Sequence, residues 1–577
     1  MKFNPKLAPL AAAVLAIGAS QSTHAGESVE FGNGLKFDWR VLTTYTLSGR
    51  AEAQDPLLTY RAPATSAVNN AGGNDGNNNF DKGALTANRI SALLETKLSK
   101  GDSGVVFSAS TFYDDAYHRT NDNDPAASNP NRVNKPAPFN EFTEGARRYH
   151  GGYSRVLDAY GYTAFKLGES SRATVRVGRH VVNWGEALFY PGMGLAQGPA
   201  DGTKANIPGT ETKDVLLPED QISAAVEVTP RWTLLSHAQF GFHPTLAPAP
   251  GSYFNTSDAV GPGGVCLGPF VALPAVPGSF SGFNGCSFGS RGEDIKPGKT
   301  GQWGIGTRYR VTDETEVGLY YLNFHDRTPL PEINAFTPGT ATPAAFGIPG
   351  NQIGNGSYRI RYFEDVKLLG ATVSTVLGKV AVAGELTHKK GAPVLVNTVV
   401  NPATGATIPN PTRADVTQAS VNAFANVGRV PFITSLQLLG EVSAVIVNDV
   451  EARKAPGVEA LGAAAAAFPA SDTLSFKTSK GIAYTLQAVL GYPGFVEGWD
   501  LTVPISFAHQ VKGRSLVGGT GGEGDKRLSL GTTFVKGGNL SIGVNYLAFL
   551  GDASLDLKTE RKLTDRDQLS LVLKYAF

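Results

Sequence analysis

The sequence is poor in several things at once. Charged residues make up 18% of its 577 residues, against roughly a quarter in ordinary soluble chains. Lysine plus arginine number 51 and aspartate plus glutamate 50, so no excess of positive charge points to nucleic acid as a partner. There are only two cysteines, two methionines and five tryptophans. Two cysteines cannot build a disulfide-dense scaffold, and the CxxC and HExxH spacings of familiar zinc sites are missing. After the first 25 residues, no stretch approaches the roughly 18 uninterrupted apolar residues of a membrane helix. A mean hydropathy of -0.11 also speaks against a helical membrane protein. A hydrophobic content of 41% speaks against a disordered chain. Glycine is abundant instead, at 68 residues, and aromatics reach 9%. A chain neither greasy nor charged, rich in glycine and rings, suggests extended structure.

The N-terminus indicates export. Lys2 and Lys6 form a positive start, Leu7 to Ile17 an apolar core, and Thr23-His24-Ala25 a small-residue cleavage site. This reads as a secretory signal peptide over 1–25, cut before Gly26, and too short to span a bilayer. In an oxidising compartment Cys266 and Cys286, both in one Gly/Pro-rich stretch, are expected to form a disulfide.

The C-terminus shows the architecture. Leu569, Leu571, Leu573, Tyr575 and Phe577 alternate with Ser570, Val572, Lys574 and Ala576, the period of a strand with one apolar face. Tyr575 and the terminal Phe577 resemble the signal read by the outer-membrane barrel assembly machinery. Trp303, Ile305, Thr307, Tyr309 and Val311 likewise alternate with Gln302, Gly304, Gly306, Arg308 and Arg310. Apolar-out and polar-in is the pattern of a membrane barrel. Eighteen candidate strands follow, at 35–50, 86–99, 104–114, 158–168, 172–180, 220–229, 231–242, 301–311, 314–325, 366–376, 379–387, 413–427, 434–448, 476–490, 499–511, 526–536, 538–549 and 567–577. Connections alternate between a few residues and long segments such as 181–219, 243–300 and 388–412. Short periplasmic turns and long extracellular loops are the bacterial layout. The expected fold is therefore all-β, a single transmembrane antiparallel barrel over 26–577, with about eighteen strands and sixteen or twenty as alternatives.

Function is expected in the loops and lumen. Arg172 and Arg176 share a face of their strand, either as an anion-attracting ladder or, the preferred reading, in a wall network with acids such as Asp38, Glu95 or Glu385. The longest loop is unexpectedly apolar, with Phe254, Phe270, Phe280 and Phe283 among its rings. It either folds inward as a cap or forms a greasy vestibule.

The segment after the fifth strand carries a resemblance. Gly178, Arg179 and His180 precede Asn183-Trp184-Gly185-Glu186. Pro199 and Asp201 follow, then Pro208, Gly209, Glu211 and Lys213 before Leu217-Pro218. This block resembles a family of large proteobacterial outer-membrane proteins classed as a domain of unknown function. The run Gly202 to Asn206 departs from its pattern. The resemblance implies neighbouring genes for a periplasmic lipid-carrier-like protein and an RND-type inner-membrane transporter, and so movement of a hydrophobic molecule across the envelope. Physically, 183–218 suits an inward-folded constriction. Trp184, Phe189 and Tyr190 would pack, while Glu186, Lys204, Glu211 and Lys213 would tie the loop to the wall. Asn183 belongs to the same candidate set.

Catalysis has little support. The single GxSxG match, Gly285 to Gly289 around Ser287, lies in a Gly/Pro-rich loop and not on a strand-to-helix elbow. No cofactor, metal or nucleic acid is expected. Outer-membrane lipid and lipopolysaccharide are the expected surroundings. The sequence therefore points to an outer-membrane channel or transporter for a hydrophobic small molecule. The alternatives are a structural or surface-binding barrel and a lipid-active enzyme.

Overall fold

The computed structural model describes residues 26–577 apart from 27, 62–72, 126–133, 269, 274–282, 287–288, 337–355 and 516–520. The expected leader lies outside the described residues.

Eighteen strands close into one antiparallel barrel, and the short strand Ser28–Phe31 adds to the sheet against Leu35–Asp38. The barrel strands are β1 (Leu35–Arg50), β2 (Leu85–Lys100), β3 (Ser103–Asp114), β4 (Gly152–Lys166), β5 (Arg172–His180), β6 (Glu219–Thr229), β7 (Trp232–Gln239), β8 (Gln302–Arg310) and β9 (Glu316–Phe324). The second half is β10 (Val366–Leu377), β11 (Val380–Asn401), β12 (Ala406–Val430), β13 (Ile433–Asn448), β14 (Lys480–Val496), β15 (Trp499–Lys512), β16 (Lys526–Lys536), β17 (Leu540–Leu550) and β18 (Gln568–Ala576). Each strand pairs with its neighbours in sequence, and β18 returns to β1 with Ala576 opposite Leu42 and Gln568 opposite Arg50. Closure leaves no strand edge in the wall, which the hydrocarbon of a bilayer requires.

Alternation sets the two faces. On β8, Ile305 and Tyr309 are exposed on the outside while Gln302 is buried on the inside. On β18, Leu569 and Tyr575 are exposed, and Ser570 and Val572 are buried. Ile90, Leu319, Leu369 and Val421 continue the exposed apolar wall around the barrel. A continuous patch of this kind is a lipid-facing surface.

The strand ranges differ from the sequence expectation mainly in one hairpin. Residues 388–412, expected as a loop, continue β11 and β12 beyond the wall and leave only 402–405 as the turn. A register shift between Lys389 and Ala392 reverses the alternation there. Val394, Val396 and Val400 then turn to a buried face. Pro393, Pro409 and Pro411 sit within the paired segments.

Outside the wall, on the long-loop side, the strands Leu330–Asn334, Ser357–Arg361, Gly289–Arg291 and Cys266–Leu267 form a separate small sheet. Glu332 is buried there beneath Arg359 at 3.0 Å, Arg361 at 2.9 Å and Arg453 at 2.5 Å. Cys266 and Cys286 are disulfide-bonded. A second packed region joins Phe80, Tyr117, Phe142 and Tyr253, with Phe254 against it. Phe254 also meets Phe549 of β17 with ring centroids 6.0 Å apart. This part of the longest loop therefore packs as a cap. Phe270 and Phe283 begin the paired strands Phe270–Leu273 and Phe283–Cys286. Phe280 and Ser287 lie outside the described residues.

Candidate functional site

The segment 181–218 leaves the end of β5 and folds into the lumen. Its first half seats on the inner wall by an unusual device. The Glu385 carboxylate of β11 accepts the backbone N–H groups of Glu186 at 2.9 Å, Ala187 at 3.3 Å and Met193 at 2.8 Å. The Glu441 carboxylate of β13 accepts those of Leu188 at 2.6 Å, Phe189 at 3.1 Å and Tyr190 at 3.1 Å. Both glutamates are buried, at 5% and 1% exposure. A buried carboxylate is tolerated only when its oxygens are satisfied, and here the loop backbone satisfies them. Gln418 and Asn422 of β12 donate to the Tyr190 and Glu186 carbonyls at 2.6 and 2.7 Å. The Tyr190 hydroxyl meets Thr485 of β14 at 3.0 Å.

Apolar packing reinforces these bonds. Trp184, Met193 and Ala196 join Tyr320, Leu322, Leu368, Val416 and Val445 in one buried cluster. The Trp184 ring stacks on Tyr320 at 5.8 Å and meets His237 edge-on at 4.9 Å. It lies over Gly304, where an added Cβ would stand 3.0 Å from the indole. The same Cβ would stand 2.6 Å from the His237 Nε2, so a larger residue there would have to displace the imidazole. Arg308 donates to the Trp184 carbonyl at 3.3 Å. The Asn183 carboxamide oxygen lies beside Gly194, within the same loop.

The second half of the segment is held on the opposite arc. Asp201 accepts from Arg155 of β4 at 2.7 Å and from the Tyr153 hydroxyl at 2.5 Å. Lys204 is buried and pairs with Asp214 at 2.9 Å. Lys213 bridges Glu95 of β2 and Asp158 of β4, at 2.8 Å each. Glu211 accepts from Lys574 of β18 at 2.6 Å, and the Pro208 carbonyl accepts from Thr46 of β1 at 2.9 Å.

The charges of this loop follow from that burial. Burial pushes the Glu186 carboxyl up to about 7, with Arg308 pulling against it and Glu316 and Glu385 adding to it. Burial would raise Asp201 as well, but Arg155, Thr203 and Tyr153 outweigh it and hold the group below its ordinary range. Burial lowers Lys204 against the pull of Asp214. For Lys213 burial is overcome by Glu95 and Asp158, which raise it.

The sequence candidates thus separate. Trp184, Glu186, Lys204, Glu211 and Lys213 all lie in the inward loop, and the last three make ion pairs. Glu186 ties the loop through its backbone and not its carboxylate. Arg172 lies at the short-turn mouth, paired with Asp102 at 2.5 Å. Arg176 is exposed on the inner wall. Glu441, which carries half the seat, carried no sequence signal beyond being an acid on an inward strand position.

A closed barrel with a lipid-facing wall and a loop crossing its lumen is a porin-like membrane barrel. Within that class, the chain belongs to the family described as protein of unknown function DUF1302, whose model matches residues 6–577. No curated protein matches the sequence. Among solved structures, the chain is similar to OccAB1 of Acinetobacter baumannii. Identity is 10% over 96% of this chain and 99% of that one, with a TM-score of 0.43. It is also similar to a BenF-like porin from Pseudomonas fluorescens, at 9% identity over 94% of this chain and 98% of that one, with a TM-score of 0.40. OpdK of Pseudomonas aeruginosa, solved with vanillate, matches at 10% identity over 94% and 98% of the two chains, with a TM-score of 0.38.

Proposed function

We propose that this protein is an outer-membrane channel for small organic solutes carrying substantial apolar surface, narrowed by the 181–218 loop. The carrying observation is how that loop is held. Its polar ties fall on β7 and β8, through Gln239 and Arg308, and on two further arcs of wall, one on β11 to β14 and the other on β1 to β4 and β18. Between them, β15 to β17 present Ser506, Ser529 and Asn545 to the lumen, half-buried, small and polar. A loop built only to fill the barrel would gain most from apolar packing on every side. One seated on discrete carboxylates, beside a strip of wall carrying small polar side chains, suits a constriction with a passage alongside it. The lipid-facing wall supports placement in the outer membrane of a Gram-negative cell.

The test is solute flux into proteoliposomes loaded with the purified barrel. The intact protein should pass small solutes, and replacing residues 184–214 with a short Gly/Ser linker should raise flux and blunt discrimination between solutes. Absence of flux in both forms would favour a structural barrel.

A further inference from the structure

Inside the lumen, on the short-turn side of the Lys213 tie, two cations stand apart from the wall's ion pairs. Lys97 of β2 and Arg176 of β5 both face inward and are both exposed. Their neighbours are paired: Arg40 and Lys213 with Glu95, Arg172 with Asp102. Asp38 lies opposite Lys97 across β1 and β2, but its carboxylate is engaged by Lys36 at 3.3 Å and by the Ser28 hydroxyl. Among the described residues, no ion pair is formed by Lys97 or Arg176.

Each instead borders a tyrosine of β4. The Lys97 ammonium lies 5.8 Å from the Tyr162 ring centroid, and the Arg176 guanidinium 5.9 Å from that of Tyr160. The two rings are 6.5 Å apart. Two glycines of the neighbouring strands stand beside them. At Gly104, paired with Tyr162 on β3, an added Cβ would come within 2.7 Å of the Tyr162 hydroxyl. At Gly178, paired with Tyr160 on β5, an added Cβ would meet the Tyr160 backbone at 2.9 Å. Gly104 thus gives way to the Tyr162 ring, while Gly178, at a φ of +120°, leaves room for the backbone of Ala159 and Tyr160. The result is a strip of aromatic surface flanked by two cations that form no ion pair.

We propose that this strip is a binding platform for an organic anion, with the apolar body on Tyr160 and Tyr162 and the anionic head drawn to the cations at the edges of the strip, Arg176 and Lys97. Arg176 offers a planar fork for a carboxylate, and Lys97 a point charge. The ring faces take apolar or aromatic surface. This deepens the channel reading and rests on it for the platform's role in passage, while binding itself stands apart from flux.

The test uses three matched soluble probes: phenylacetate, phenylacetamide and phenethylammonium. Binding to the detergent-solubilised barrel is measured by calorimetry, and uptake in proteoliposomes. Phenylacetate should bind and enter best and phenethylammonium worst. K97Q and R176Q should each weaken phenylacetate binding by about tenfold, as expected for a lost charge-assisted contact, while K97R and R176K retain most of it. A heat-dependent gel shift in every variant confirms an intact barrel. Equal binding of the three probes, no binding, or unchanged affinity in the double glutamine variant overturns the platform. If binding behaves as expected but no probe enters, the platform stands and the channel reading falls. If all three enter alike and the variants change nothing, the reverse holds.

Discussion

At the residue scale, two glutamates carry the most weight. Glu441 receives three consecutive backbone N–H groups, and Glu441→Ala would leave all three without a protein acceptor in a buried place. Each bond to a charged group is worth about 1.5–3 kcal/mol. The barrel should survive and the loop's seat should not. Single-channel recordings in a planar bilayer should show larger and noisier conductance for the variant than for the parent. Unchanged current traces would mean the seat does not hold the constriction. Glu186 supplies a pH dependence. Its carboxyl is raised from an ordinary 4.5 to about 7, chiefly by burial. The native state therefore keeps a proton that an unfolded chain gives up. Its contribution is most favourable below pH 4.5, declines as pH rises toward 7, and changes little above. Ionisation places a negative charge in the constriction, so reversal potentials in a salt gradient should shift toward cation preference as pH rises through neutrality. Glu186→Gln should flatten that step.

At the element scale, the strands were readable and the loop seats were not. Alternation located every wall strand because each position must choose between lipid and lumen. It failed at 388–412, where three prolines and a register shift interrupt the period although the backbone stays paired. Trp184 and the ties of Lys204, Glu211 and Lys213 were visible as candidates because an aromatic and charges in a Gly/Pro-rich loop need partners. The wall residues that seat the loop backbone were not, since Glu385 and Glu441 lie 199 and 253 residues beyond Glu186 and Leu188. The disulfide belongs to this scale. Cys266 and Cys286 are 20 residues apart, and the chain-entropy model assigns ~3 kcal/mol to closing a loop of that size. Replacing both by serine should speed amide exchange in the small sheet, at Cys266–Leu267 and Gly289–Arg291, and leave exchange in β1 to β18 unchanged. Loss of protection in the wall would show that the cap and barrel are one cooperative unit.

At the scale of the whole molecule, closure dominates. Every wall strand bonds to two neighbours, so the barrel has no frayed end from which to unzip. Unboiled protein should resist dodecyl sulfate and migrate differently from boiled protein on a gel, and the E441A barrel should keep that difference. The modest hydropathy and scarce charge of the sequence average three populations: an apolar outer face, a polar inner face, and long loops rich in glycine and proline. No single segment is greasy because the membrane surface is spread over alternate residues of eighteen strands.

The loop's footing on β1 and β18 has a consequence for how the molecule is made. Pro208 rests on Thr46 of the first strand and Glu211 on Lys574 of the last, so the loop straddles the seam where the cylinder is sewn shut. Neither foothold has its final spacing until those two strands have met. The inner obstruction is therefore complete only once that seam is closed. A barrel caught with its seam open would be leaky in two ways at once, through the wall and through the bore.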